Sequence, residues 1–216
     1  MIRRPLPDGD LLITQAEHAL QAGRLAAALK DLPEPREALI RAVSLHDAGW
    51  PLIDDQPEPL ADGRPPHVFD HDTSYSAPAW RRSVAVARAS GPLEALLVSR
   101  HFSRFSARFA AEQADFQLAW RLGVSPELEE AGVRLVRYCD SLSLRLLCDP
   151  KERVSLPQDV TYEDGWLSPW PFTTDKIEDT VAGRKLPKRK WGSKGELVEA
   201  YRAAPVVQWA VQLLPI

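Results

Sequence analysis

The chain has 216 residues, a net charge of −3 and 44% hydrophobic residues, which suits one folded domain with a sizeable core. A charge balance this even argues against disorder and against general nucleic-acid binding. No apolar run reaches the length of a membrane span, and the basic opening MIRRPLPDGD has no signal-type apolar segment behind it. Cys139 and Cys148 fall nine residues apart on one predicted helix, too far along its axis to bridge, so a cytoplasmic protein with reduced thiols is expected.

Taken in chain order, Thr14 and Glu17 form a Thr-x-x-Glu capping box, so a first helix is expected from Gln15 to just before Pro33. A second is expected from about Pro35 to His46 or Asp47, with Gly49 as its C-terminal cap. Residues 50–76 are rich in Pro, Asp and Gly. So long a loop is expected to be a lid or binding loop, starting beside whatever site the second helix ends in. Helical patterning returns at APAWRRSVAVARAS and again over residues 92–123. It returns once more after Ser125, which suits an N-cap before Pro126 and the acidic Glu127, Glu129 and Glu130. Beyond Asp149 the chain turns Pro- and aromatic-rich. IEDTVAGRKLPKRKW reads as strand, Gly turn and strand, and VVQWAVQLLPI as a closing strand.

Several of these helices aim polar groups inward. Leu39, Val43 and His46 share one apolar stripe, and Asp47 flanks it. His18 lies with Ala22, Leu25 and Leu29; His101 with Leu97, Val98 and Phe105; Asp140 with Val133, Val136 and Leu147. Singly, each reads as a hydrogen-bonded core residue. Together they ask one core to satisfy three imidazoles and two carboxylates separately, which a single divalent ion does at once. The donor set suits Mn, Fe, Co, Ni, Zn or Mg.

The order His18, then His46–Asp47, then Asp140 resembles the H…HD…D signature of the HD superfamily, an all-helical, metal-dependent fold of phosphohydrolases and phosphodiesterases. It also resembles a small bacterial HD-like family known only as a domain of unknown function. The resemblance covers roughly the first 150 residues. It implies His18 as the first-helix ligand, His46 and Asp47 as the paired ligands, Asp140 as the last, and His101 where two-metal members place an extra histidine. Many members continue the pair as HD-x-G-K; this chain reads HDAGW, with Trp50 in place of the lysine and Ala48 where others place a glutamate. Arg81, Arg82, Arg100 and Arg104 are alternative sources of positive charge.

Pattern and resemblance together predict a mainly α fold: an HD-like helical bundle over residues 1–150, with a small C-terminal β appendage over 151–216 packed on the same domain. They predict a metal-dependent hydrolase acting on a phosphate ester or nucleotide-like small molecule, with one or two divalent ions held by His18, His46, Asp47 and Asp140. Asp47 and His101 are the catalytic candidates, Asp47 as a bridge if two ions bind. His67, His71, His101, Arg100 and Trp50 are candidates for a second metal or for substrate; His67 and His71 come from a second His-Asp cluster, PHVFDHDTSY, inside the long loop. Two alternatives stand beside this: an HD-like di-iron oxygenase, and a metal- or ligand-binding regulatory module without turnover. A small-molecule partner is expected, with no nucleic acid and no membrane. The oligomeric state is left open.

Overall fold

The computed structural model describes residues 1–148, 153–156 and 159–216. The expected boundary near residue 150 falls outside them. Among the described residues there are eight helices: α1 (Gln15–Ala28), α2 (Arg36–Leu45), α3 (Pro51–Asp54), α4 (Thr73–Ser90), α5 (Pro92–Ser103), α6 (Ala107–Trp120), α7 (Pro126–Leu147) and α8 (Lys194–Ala203). Seven strands accompany them: β1 (Ile2–Leu6), β2 (Gly9–Ile13), β3 (Val154–Leu156), β4 (Val160–Glu163), β5 (Trp166–Ser168), β6 (Ile177–Pro187) and β7 (Val206–Pro215).

This corrects the expected fold class. The molecule is not a mainly α bundle with a small β appendage, because about 20% of the chain is strand and the strands form one seven-stranded sheet in the order β1-β2-β6-β7-β5-β4-β3. All pairings are antiparallel except β5 with β7. The first residues of the chain are part of this sheet. Pro7-Asp8 turns β1 back onto β2, with Leu6 paired to Gly9, and β2 then pairs with β6. β6 is one continuous strand rather than two joined at a turn. A Cβ at Gly183 would press on Leu11 and Ile13 of β2, so this glycine serves close approach between side chain and backbone, not a reversal.

Period-two alternation gives the sheet two buried faces. Ile2, Leu11, Ile13, Val181 and Val211 meet Leu147 at the end of α7 on one face. Met1, Leu12 and Leu186 meet Trp191, Leu197 and Tyr201 around α8 on the other. The principal helical core joins α1, α2, α5 and α7 through residues such as Leu25, Leu39, Leu97 and Leu142, and reaches β4 and β5 through Tyr162 and Leu167. An aromatic cluster of Trp50, Trp80, Phe102 and Phe109 ties α4 to α5 and α6.

The helix starts follow their caps. Thr14 Oγ1 accepts the Glu17 N–H, while the Glu17 carboxylate accepts the backbone N–H of Ala182 in β6, so half of the expected box fastens α1 to the sheet. Ser125 caps α7 through the Leu128 N–H. The stretch 92–123 divides at Ser106, whose hydroxyl accepts the Phe109 N–H and starts α6. Gly49 does not cap α2 in a left-handed conformation. It lies against the backbone of α4 and donates its N–H to Ser83 Oγ at 2.9 Å. No helix among the described residues is long and apolar enough to cross a membrane.

Candidate metal centre

Four helices converge on one point. α1 brings His18, the end of α2 brings His46 and Asp47, α5 brings His101 and α7 brings Asp140. All five are at most 6% exposed. The His18 and His46 ring centroids lie 5.2 Å apart, as do those of His46 and His101.

Asp140 is the hub. Its Oδ1 lies 3.1 Å from His18 Nε2 and 3.6 Å from His46 Nε2; its Oδ2 lies 3.3 Å from Arg104 Nη2 and 3.9 Å from His101 Nε2. Asp47 is held from the far side: the Trp50 indole N–H donates to its Oδ1 at 2.9 Å and the Gln15 amide to its Oδ2 at 3.4 Å. Its Oδ2 also faces His46 Nε2 at 3.4 Å.

Outer partners fix the imidazoles. A carbonyl oxygen only accepts, so His46 Nδ1, 2.7 Å from Val43 O, carries a proton and donates it. His46 Nε2 is thereby aimed at two carboxylates, and no hydrogen bond satisfies it. Ser143 Oγ donates to Gln21 Oε1 at 2.6 Å and accepts from His18 Nδ1 at 2.7 Å, which turns His18 Nε2 toward Asp140 in the same way. A bare ring nitrogen facing a carboxylate needs a proton or a cation between them, and an outer hydrogen bond at Nδ1 with Nε2 pointing inward is how ligating histidines are held.

Without a cation, protons fill that role. Burial pulls His46 down, but Asp47 and Asp140 outweigh it and the imidazole is raised to about 9. Burial raises Asp47. It would raise Asp140 too, but the imidazoles of His18 and His46 beside it hold that carboxyl well below the usual range. Burial keeps His101 neutral, well below the ordinary imidazole value.

Two overlapping trios have the spacing to hold a metal ion: His18, His46 and Asp47, and His46, His101 and Asp140. Both use His46, and its Nδ1 is committed to Val43. A cavity of about 240 Å³ opens onto Asp47, His101 and Asp140 and is walled largely by Trp50, Phe69, Trp80, Phe102 and Phe105. A larger depression of about 440 Å³ lies beside α8 and β6, but none of the five groups lines it.

The remaining sequence candidates separate. Trp50 is at the site, as partner of Asp47 and as cavity wall. His71 stacks on Tyr75 with ring centroids 4.0 Å apart and lines the outer cavity. His67 does not line it. Its Nδ1 accepts the backbone N–H of Arg3 at 3.1 Å. Asp72 caps α4, accepting the N–H groups of Ser74 and Tyr75. Arg100 points away to Glu129 at 3.1 Å, and Arg104, one turn on, supplies the guanidinium at Asp140. The long loop therefore reaches the cavity through Val68, Phe69 and His71, while His67 ties it to β1.

That tie makes a pH prediction. Burial, then the neighbouring Arg3 guanidinium, push His67 down to about 4. The unfolded chain takes up a proton near pH 6.5 that the folded chain refuses until about pH 4, so His67 favours folding above 6.5 and that contribution drains away between the two values. Urea unfolding of wild type and His67→Gln should show the wild type losing stability faster as pH falls from 6.5 to 4. Parallel curves would show that His67 is not held neutral.

The chain belongs to a family described as protein of unknown function (DUF3891), whose model matches residues 1–188, a span that contains all five inward groups. No curated protein and no solved structure matches it significantly.

Proposed function

We propose that this protein is a metal-dependent hydrolase of the HD type, built around one divalent ion. The observation that carries the reading is His46. Its Nδ1–H is pinned to the Val43 carbonyl, and its Nε2 is buried without a hydrogen bond between two carboxylates. A second such ring, His18, and a third, His101, stand around the same carboxylate. One nitrogen binds one ion, and both trios need this one, which favours a single ion over the pair a di-iron oxygenase requires.

The ion would be held by His46 together with either His18 and Asp47 or His101 and Asp140, the two trios with suitable spacing. A bound ion there would bring its water toward neutral pKa and steady negative charge developing on a phosphate ester or similar substrate. Trp50 and Gln15 hold the Asp47 carboxylate in register, and Ser143 and Val43 hold the His18 and His46 rings. Arg104 is the cation at the site, in the role the missing lysine of HD-x-G-K would fill, and it lies over the Phe105 ring at 4.3 Å. Neutral His101 suits a ligand or proton acceptor; as donor to a leaving group it would have to be charged.

Elemental analysis of protein purified without chelators or a metal-affinity column should find about one equivalent of a divalent transition metal, and a panel of small phosphate esters should show turnover that chelation abolishes. Protein that takes up no ion even after incubation with Mn, Fe, Co, Ni or Zn would end the reading. Protein that holds the ion but turns over nothing on a broad panel would instead be a regulatory module.

A further inference from the structure

We infer that the substrate of this site is a small molecule with one aromatic or similarly flat apolar body and a single anionic head, and not a nucleotide. This rests on the metal-centre reading for the head and on the cavity for the body.

The cavity is small. At about 240 Å³ it lies below the range of roughly 300–1,000 Å³ usual for drug-sized ligands. A dry cavity of about 150 Å³ is enough for benzene. One ring plus a compact head therefore fills this one, whereas a base, a ribose and a phosphate chain would extend beyond its walls.

Its chemistry is divided. At the inner end are Asp47, His101 and Asp140. Gln15, Asp72, Thr73 and Ser76 add polar groups to the wall, and its largest apolar surfaces are aromatic: Trp80 lies nearly parallel to Phe102, with centroids 5.3 Å apart and planes at 15°, and Phe105 stacks beside them at 5.9 Å from Trp80. Phe69 closes the outer side and is 69% exposed, Phe105 46%. Exposure of two large aromatic side chains on the rim of one cavity is costly unless a ligand covers them. Among the described residues no lysine or arginine lines the cavity wall. The nearest guanidinium, Arg104, is partnered by Asp140 and can match one anionic head, not a polyphosphate chain.

The test uses non-hydrolysable heads, so binding is read without turnover. Metal-loaded protein is titrated with phenylphosphonate, methylphosphonate and adenosine triphosphate, followed by calorimetry and by Trp fluorescence. Phenylphosphonate should bind at least about ten-fold tighter than methylphosphonate, the return expected from burying one ring. It should also bind tighter than the nucleotide. Phe69→Ala and Phe105→Ala, both rim residues whose loss should leave the core intact, should each shrink the preference for the phenyl compound, and Phe69→Ala should leave methylphosphonate affinity near wild type. Equal affinity for the two phosphonates, a preference for the nucleotide, or rim variants that keep the full phenyl preference would each overturn the substrate class while leaving the metal centre standing. Protein that binds no metal overturns the metal centre, and the substrate class falls with it.

Discussion

Asp47→Ala should lose metal binding almost entirely and keep its fold. Loss of an outer partner of a ligand typically costs about 10–100-fold in metal affinity, and loss of the ligand itself should cost more than the upper end of that range. Two features make Asp47 the sharper choice over Asp140. Asp140 also pairs with Arg104 and is the oxygen partner of His18 Nε2, so removing it leaves several groups at the site without a partner, with a penalty on the order of 3–5 kcal/mol for a broken buried pair. Asp47 carries a raised carboxyl; its loss leaves the Trp50 indole and Gln15 amide one acceptor short, about 1–3 kcal/mol apiece, and leaves His46 with Asp140 as its remaining carboxylate. The apolar stripes of α1, α2, α5 and α7 are untouched. Circular dichroism should therefore stay close to wild type in the absence of metal, with a melting temperature lowered by several degrees, while elemental analysis finds the variant empty. Full metal content in Asp47→Ala would remove Asp47 from the ligand set and leave the second trio, His46, His101 and Asp140, as the only one with the right spacing among the described residues.

The convergence of these side chains was legible because helices write their faces in the sequence. His18, His46, His101 and Asp140 each sit at helical spacing from Leu or Val neighbours, and a polar group on such a stripe has to meet something inside. Arg104 was harder to separate from Arg100. The two are one turn apart, but α5 ends at Ser103, so Arg104 turns in to Asp140 while Arg100 remains on the helix surface with Glu129. The sheet was mostly illegible. β1 has Arg3, Arg4 and Pro5 in the middle of five residues, so alternation is hidden, and only the Pro-Asp-Gly turn marks a hairpin. The second partner of β2, β6, comes more than 160 residues later, and no local pattern announces so distant a pairing. α8 did carry a signal, Ser193 three residues before Glu196, and Ser193 Oγ accepts the Glu196 N–H. The stretch before it, IEDTVAGRKLPKRKW, reads instead as strand, Gly turn and strand. The substrate wall was partly legible: the length and composition of the 50–76 stretch suggested a binding loop, but which of its residues face the cavity depended on His67 taking a partner in β1 first.

Gly49→Ala should be among the most damaging single-methyl changes in the chain. Gly49 follows the ligand pair in HDAGW and packs against α4, where an added Cβ would fall well inside van der Waals contact of the Ala79 carbonyl oxygen and the Ser83 backbone nitrogen. Both are main-chain atoms of a helix, so no rotamer change relieves the clash; α4 has to move as a body. Overpacking of this kind costs about 1–3 kcal/mol, occasionally more, and each kcal/mol lowers the melting temperature by roughly 2–4 °C for a chain of this size. The shift also stretches the Gly49 N–H bond to Ser83 and displaces Trp50, which holds Asp47 and borders Trp80 across the cavity. Metal affinity and phenylphosphonate affinity should therefore fall along with stability. Gly195→Ala is the matched control: a Cβ there meets nothing within 4 Å, and alanine is the better residue inside α8, so it should leave stability unchanged or slightly raised. If Gly49→Ala melts with wild type and binds metal as tightly, α4 is not seated against the ligand pair, and the aromatic wall of the cavity is not where the structure puts it.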